Sequence, residues 1–208
     1  MEQRMLFRKY RIFDLQQSIE QQAKEAVRAL SEEKLADEDQ RLIAEIVDRF
    51  APVAPSIDAS LAYQTDRQVQ VDARRLPNRM VLNRSRPVPV PGTEITIHIP
   101  FKGDPGMFDI CPSCHTTSWP FAAIDAENSE ILLIYQITEG DFPVKARYEE
   151  ALRDIVQYLN WLKADIQRFE SLKQIVQSEL TRRRQAASVH SKLVASTGIP
   201  RRPDRHAS

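Results

Sequence analysis

Two strings in this 208-residue chain carry residue types that could do chemistry. The first is Cys111-Pro112-Ser113-Cys114-His115, two thiols three positions apart followed at once by an imidazole. The spacing matches covalent haem attachment, but that chemistry belongs to exported proteins, and this chain carries no export signal. It also offers zinc ligands. Structural zinc takes four, and two thiolates with one adjacent histidine give at most three, so His98 or a second chain would have to complete the set. A redox dithiol would precede a helix in a βαβ unit, whereas this pair lies in a β-rich segment. The plainer expectation is two small side chains packed in a turn or strand. Cys111, Cys114 and His115 remain the metal candidates.

The second string is Arg182-Arg183-Arg184, followed by Lys192, Arg201, Arg202 and Arg205. Three adjacent arginines on a helix fan out over most of its circumference. They suit either a phosphate-contacting helix end, with salt-sensitive nucleic-acid binding, or a solvated terminus complementing the macrodipole. The second is the default, because Lys plus Arg and Asp plus Glu number 29 each and no aromatic residues interleave for base stacking.

Other catalytic patterns are missing. The five glycines build no phosphate loop, and neither His-Glu-x-x-His nor Gly-x-Ser-x-Gly occurs. The best strands carry no nuclease trio of acidic residue and Glu-x-Lys. Glu149, Glu150 and Asp154 fall on a helix whose apolar seam already explains it. The expectation is a protein that is not an enzyme, with no catalytic residue and no cofactor.

The elements that would position these strings form an α+β pattern. Residues 1–55 read as a helical hairpin: Asp14 as N-cap with Leu15, Ile19, Val27 and Leu30 following, a polar turn from Ser31 to Asp39, then Leu42, Ile43, Ile46, Val47 and Phe50 before Pro52 and Pro55. Residues 56–140 switch to a period of two and predict an antiparallel sheet or small sandwich. Ile95, Ile97 and Ile99 alternate with Glu94, Thr96 and His98, and the run from Ile131 to Ile137 reads as a central strand. Pro87, Pro89, Pro91 and Gly92 mark a loop or edge approach to the 94–99 strand. Lys102 to Gly106 is a turn, and Asp125 to Ser129 joins 121–124 to 131–137 as a hairpin.

Residues 141–197 predict a long amphipathic helix in one or two segments, capped by Asp141 and followed by a frayed tail over 198–208. Tyr148, Leu152, Ile155, Leu159, Leu162, Ile166 and Phe169 recur at intervals of four and three, a heptad seam of the coiled-coil kind. At ~1.5 Å per residue an unbroken rod would be roughly 75 Å long. Either it breaks near Ser171 or its far half packs on another chain.

Composition bounds the rest. An apolar fraction of 42% supports a packed core. Zero formal net charge excludes a strongly basic nucleic-acid binder overall and favours self-association. No signal-peptide or membrane-spanning run is present, and two cysteines make no disulfide framework, so a cytoplasmic location with no membrane partner is expected.

An ordered set of short motifs adds a resemblance. Val69-Gln70-Val71-Asp72, Pro77-Asn78-Arg79, Val90-Pro91-Gly92-Thr93 and Ile97-His98-Ile99-Pro100-Phe101-Lys102-Gly103-Asp104-Pro105 come first. Tyr158-Leu159-Asn160-Trp161-Leu162-Lys163-Ala164-Asp165-Ile166 and Leu193-Val194-Ala195-Ser196-Thr197-Gly198-Ile199-Pro200 follow. Over roughly residues 40–200 the set resembles the amino-terminal module of uncharacterised bacterial proteins, some of which continue into a restriction-endonuclease-like nuclease domain. The family's nuclease residues have no matching positions here. The resemblance implies an interaction, assembly or sensing module in a bacterial defence or nucleic-acid-processing system, with a protein partner or a second copy. Direct nucleic-acid binding through Arg182, Arg183 and Arg184 is the alternative.

Overall fold

The computed structural model describes residues 2–75, 85–138, 143–167 and 171–196. The chain forms two compact units, Met1–Leu15 with Val53–Gln167, and Gln16–Pro52 with Arg168–Ser208. Helices and an antiparallel sheet together make it α+β, as the switch of period predicts.

The first unit is built on a six-stranded antiparallel sheet. Its strands are β1 (Arg4–Met5), β3 (Ser56–Ile57), β4 (Tyr63–Asp72), β5 (Pro89–Lys102), β7 (Phe121–Asp125) and β8 (Glu130–Ile137), and a separate parallel pair joins β2 (Tyr10–Arg11) to β6 (Ile110–Cys111). The order is β1-β7-β8-β5, with β3 and β4 sharing the far side of β5. The run from Ile131 is therefore central, as its apolar faces predict, and the β7–β8 hairpin forms. Its turn is closed by Asp125, whose Oδ1 accepts from the amides of Glu127 and Asn128 while Asn128 Nδ2 donates to its Oδ2.

Alternation along β5 sorts two faces. Ile95, Ile97, Ile99 and Phe101 lie on one side, level with Tyr135, Leu133 and Ile131 of β8. Helix α4 (Val144–Gln167) covers that side, burying Ile155, Tyr158, Leu159 and Leu162, with Tyr148, Leu152 and Ile166 packed at the margin. The seam expected to run as a coiled coil is thus consumed, from Tyr148 to Ile166, by this chain's own sheet. Phe7, Phe101, Phe108, Tyr158, Trp119 and Trp161 make a continuous aromatic cluster with centroid spacings of 5.0–5.8 Å. Such tilted and edge-on pairs add about 0.5–1.5 kcal/mol each beyond area burial. Phe7, fully buried, holds a φ of 56°, a left-handed conformation costly for a side chain of this bulk.

The prolines need one correction. Pro89 and Pro91 do not lead into β5; they are part of it, pairing with Asp72 and Gln70 of β4. The reason lies in which side each residue's polar groups face. The Pro100 carbonyl accepts from Asp58 on the β3 and β4 side, and the Phe101 amide donates to Ser129 on the β8 side. Even-numbered residues of β5 therefore turn toward β4 and odd-numbered ones toward β8. Among the described residues β8 pairs with β5 from Thr93 onward, so the amide that Pro89 and Pro91 lack faces no described strand. Pro100 in turn lies beyond the last β4 pair, Tyr63 with His98.

Further along, the predicted turn after Lys102 forms, with Gly103 at φ 114° and the Gly106 amide donating to Asp104 Oδ1 at 2.8 Å.

In the second unit, helix α1 (Ile12–Arg28, entering this unit at Gln16) buries Ile19, Ala23 and Val27, and α3 (Asp39–Phe50) buries Leu42, Ile43 and Ile46. Asp14 lies inside the first turn of α1, where the Arg11 amide donates to its Oδ2 at 3.4 Å, so the helix starts three residues earlier than the N-cap reading predicts. The expected polar turn holds a one-turn helix, α2 (Glu32–Leu35), capped by Ser31, whose Oγ accepts from the Lys34 amide. Helix α5 (Ser171–Ser196) buries Leu172, Val176 and Leu180 and packs along α3. Residues 168–170, the Pro77-Asn78-Arg79 motif, the Asp141 cap and the 198–208 tail lie outside the described residues. No described helix is long and apolar enough to cross a membrane.

Gly92 of β5 has no room for a side chain: a Cβ there would meet Ile137 O at 2.6 Å and Val71 Cγ2 at 2.7 Å. Gly92→Ala is expected to cost about 1–3 kcal/mol, the range for overpacking a well-filled site. Urea denaturation of both proteins checks it.

Candidate functional site

The face of the sheet turned away from α4 carries the side chains that the alternation of β5 sends outward. Glu94, Thr96 and His98 stand level with Arg67, Thr65 and Tyr63 of β4, and with Gln136, Ile134 and Leu132 of β8. All of them but Tyr63 line, together with Gln3 and Phe121, a groove of about 730 Å³. Its floor is apolar toward β8 and polar toward β4.

Two cross-strand networks fix this face. At one end the Glu94 carboxylate, 8% exposed, accepts from Arg67 Nε at 2.8 Å on one oxygen and from Gln136 Nε2 at 2.9 Å on the other. The Gln136 amide, and secondarily the Arg67 guanidinium, hold this carboxyl below the ordinary glutamate range against the opposing effect of burial. At the other end His98 bridges three strands. Its Nδ1 pairs with Glu130 Oε2 at 2.8 Å, its Nε2 with Thr65 Oγ1 at 3.0 Å, and its ring stacks on Tyr63 at 4.5 Å and 7°. Tyr63 donates its hydroxyl to Glu130 Oε1 at 2.8 Å, a bond that pushes the phenol pKa up. Gln3 serves β8 as a substitute strand: its side-chain amide accepts from the Ile134 amide and donates to the Ile134 carbonyl.

A carboxylate, an imidazole and a hydroxyl in series are the parts of a general-base relay. Here the hydroxyl stands mid-strand, and its own amide is turned into the β4–β5 ladder. That amide is therefore not a donor that could serve an oxyanion beside the hydroxyl. What the networks do is hold donors and acceptors in fixed positions along the groove.

The structure places the two strings singled out from sequence elsewhere. Cys111 ends β6 and Cys114 sits in the turn that follows, the first half-buried and the second exposed. Cys111 Sγ lies 3.8 Å from His115 Nδ1, while the His115 ring stacks on Trp119 at 5.2 Å. Burial pushes the Cys111 thiol pKa up, away from the thiolate a metal wants. Among the described residues no group of three or more His, Cys, Asp or Glu side chains is placed to hold a metal ion, so Cys111, Cys114 and His115 are not brought together as a ligand set. The loop is anchored by Asp165 of α4, 7% exposed, which accepts from the Ser113 amide at 2.7 Å and the Ser113 hydroxyl at 2.6 Å.

Of the arginines on α5, Arg184 is turned inward. It donates to the carbonyls of Leu35 and Asp37 and to the Asp39 carboxylate. Arg183 is half-buried, and Arg182, 78% exposed, lies 4.0 Å from Glu179, which also pairs with Arg28. The run divides its tasks, and Arg182 is the most exposed of the three.

Sequence reasoning missed Tyr63, Thr65, Arg67, Glu130 and Gln136. The outward positions of the 94–99 strand were visible, but their partners on neighbouring strands were not. Family models, curated proteins and solved structures were each compared with the chain, and none of them matches.

Two outcomes follow. Glu94→Gln is expected to lower stability by about 1–2 kcal/mol at neutral pH, because it replaces charge-assisted bonds with neutral ones. The folded carboxyl titrates lower than its unfolded counterpart, so its contribution is present above the unfolded value of about 4.3 and is lost as pH falls through the folded one. The gap between the two proteins should therefore be constant above about pH 5 and close in acid, read by urea unfolding across pH. Asp165→Ala strips the Ser113 amide of its acceptor. It should cost about 1–3 kcal/mol and speed labelling of Cys111 by a thiol reagent at neutral pH.

Proposed function

We propose that this chain is a non-enzymatic recognition module that binds a protein partner along the groove on the outer face of its sheet, in a bacterial defence or nucleic-acid-processing system. The observation that carries the reading is the groove's internal satisfaction. Glu94, Arg67 and Gln136 at one end are already bonded to one another, and at the other Thr65 and His98 are bonded to each other while His98 is held by Glu130, itself bonded to Tyr63, beside the groove. Such a surface is preorganised, so a partner need not first fix these side chains in place. Its mixed apolar and polar floor suits an extended segment with one greasy and one polar side. The system to which it belongs is drawn from the motif resemblance, and a cytoplasmic setting from the two free thiols. Nucleic-acid binding through Arg182 to Arg184 is the weaker reading, since Arg184 is engaged with three groups of its own unit.

A photo-crosslinking residue at Thr96, in the groove, should capture the partner in cells, while the same residue at exposed Val189 of α5 should not. Capture only from Val189 overturns the assignment of the groove. Turnover of any substrate by the purified chain, lost in His98→Asn, overturns the non-enzymatic reading.

A further inference from the structure

Strand β4 has one satisfied side and one bare side. Its odd-numbered residues sit opposite the even-numbered residues of β5, which face it, so Tyr63 to Val71 spend their odd amides and carbonyls on that ladder. Gln64, Asp66, Gln68 and Gln70 turn theirs outward, and no described strand pairs with that side. Protein sheets usually protect such edges by shortening them, bulging them, or placing charged side chains, Lys above all, or Pro along them. β4 is neither short nor bulged, and its charges are confined to Asp66, Arg67 and the terminal Asp72. It runs ten residues, keeps ten consecutive pairs with β5 without a bulge, and contains neither Lys nor Pro. Six of its residues in a row, Tyr63 to Gln68, are exposed.

We infer that β4 pairs antiparallel with β4 of a second copy, across a two-fold axis normal to the sheet and centred on Gln68. A two-fold axis in that direction keeps each face on its own side, so the two residues of every cross-strand pair share parity. That leaves few registers. Centring on Asp66 sets two carboxylates opposite each other, and centring on Arg67 sets two guanidiniums opposite each other. Centring on Val69 opposes Asp66 to Asp72. Centring on Thr65 keeps only a five-residue overlap, from Tyr63 to Arg67. Centring on Gln68 opposes no like charges: Arg67 meets Val69, Asp66 meets Gln70, Thr65 meets Val71 and Gln64 meets Asp72. It also keeps a long ladder, over residues 64–72, and sets Thr65 against Val71, a β-branched pair of the kind that stabilises sheets. The whole chain has 29 basic and 29 acidic side chains, so no net repulsion opposes the pairing. This geometry puts both grooves on the same face, side by side, and a partner with two binding segments would gain from avidity. The pairing does not depend on what the groove binds.

The test uses the full chain with Cys111→Ser and Cys114→Ser to leave no other thiol. Gln68 faces its own symmetry mate in a hydrogen-bonded pair, where Cα atoms are about 5.5 Å apart, within the disulfide range of about 4.4–6.8 Å. Gln68→Cys should give a covalent dimer under mild oxidation, with mass spectrometry assigning the bond to the two position-68 sulfurs. Gln64→Cys, whose mate is Asp72, should crosslink far more slowly. As a second variant, Gln68→Pro removes an outward amide without touching the β5 ladder, and sedimentation should show dimerisation weakened by roughly tenfold or more relative to the parent chain. A parent chain that stays monomeric at high concentration overturns the inference. So does a dimer that Gln68→Pro leaves intact, or equal crosslinking from positions 64 and 68.

Discussion

The first unit depends on one strand being hydrogen-bonded on both sides while staying in register with both. β5 pairs with β4 and β3 along one side and with β8 along the other, and each residue can turn its amide and carbonyl only one way. That requirement decides where proline is tolerated, which side chains enter the core and which ones line the groove. Pro89, Pro91 and Pro100 all fall where the missing donor would have faced no described strand. The aliphatic row of Ile95, Ile97 and Ile99 goes under α4, and Glu94, Thr96 and His98 are delivered to the opposite surface as a consequence, not by separate means.

Much of this was legible in the residues. The isoleucine alternation, the central position of 131–137, the hairpin at Asp125 and the turn after Lys102 are all local patterns, and local patterns survive folding. Harder to read were features set by distant partners. The prolines at 89 and 91 looked like punctuation because nothing nearby tells which part of β5 is paired with β8. Tyr63 and Glu130 share a hydrogen bond across 67 positions, and Ser113 and Asp165 across 52. The thiol-and-histidine string attracted attention by its spacing, yet what organises it is an aspartate on a helix far along the chain.

The heptad seam teaches a related lesson. A four-three repeat of apolar residues fixes which side of a helix is buried and says nothing of what buries it. Here Ile155, Leu159 and Leu162 share one core with Ile97, Ile99 and Leu133 of the sheet, and Tyr158 of the same helix joins Phe7 and Phe108 in the aromatic cluster beside them. The tyrosine at 158 adds a polar tie, donating to the carbonyl of Ser118 at 3.0 Å and so fixing the loop beyond the cysteines. Similarly, adjacent arginines identical in type acquire different tasks once the helix aims each one differently.

The strict two-residue repeat of β5 also constrains how such a gene can change length. Losing one codon between Gly92 and Ile99 would swap the two surfaces for the remainder of the strand, pushing isoleucines into water and a glutamate and a histidine under the helix. Losing two adjacent codons would shorten the strand while leaving every remaining side chain on its proper side. Natural length variation in this stretch should therefore come in pairs, and single-codon changes should be confined to the turns.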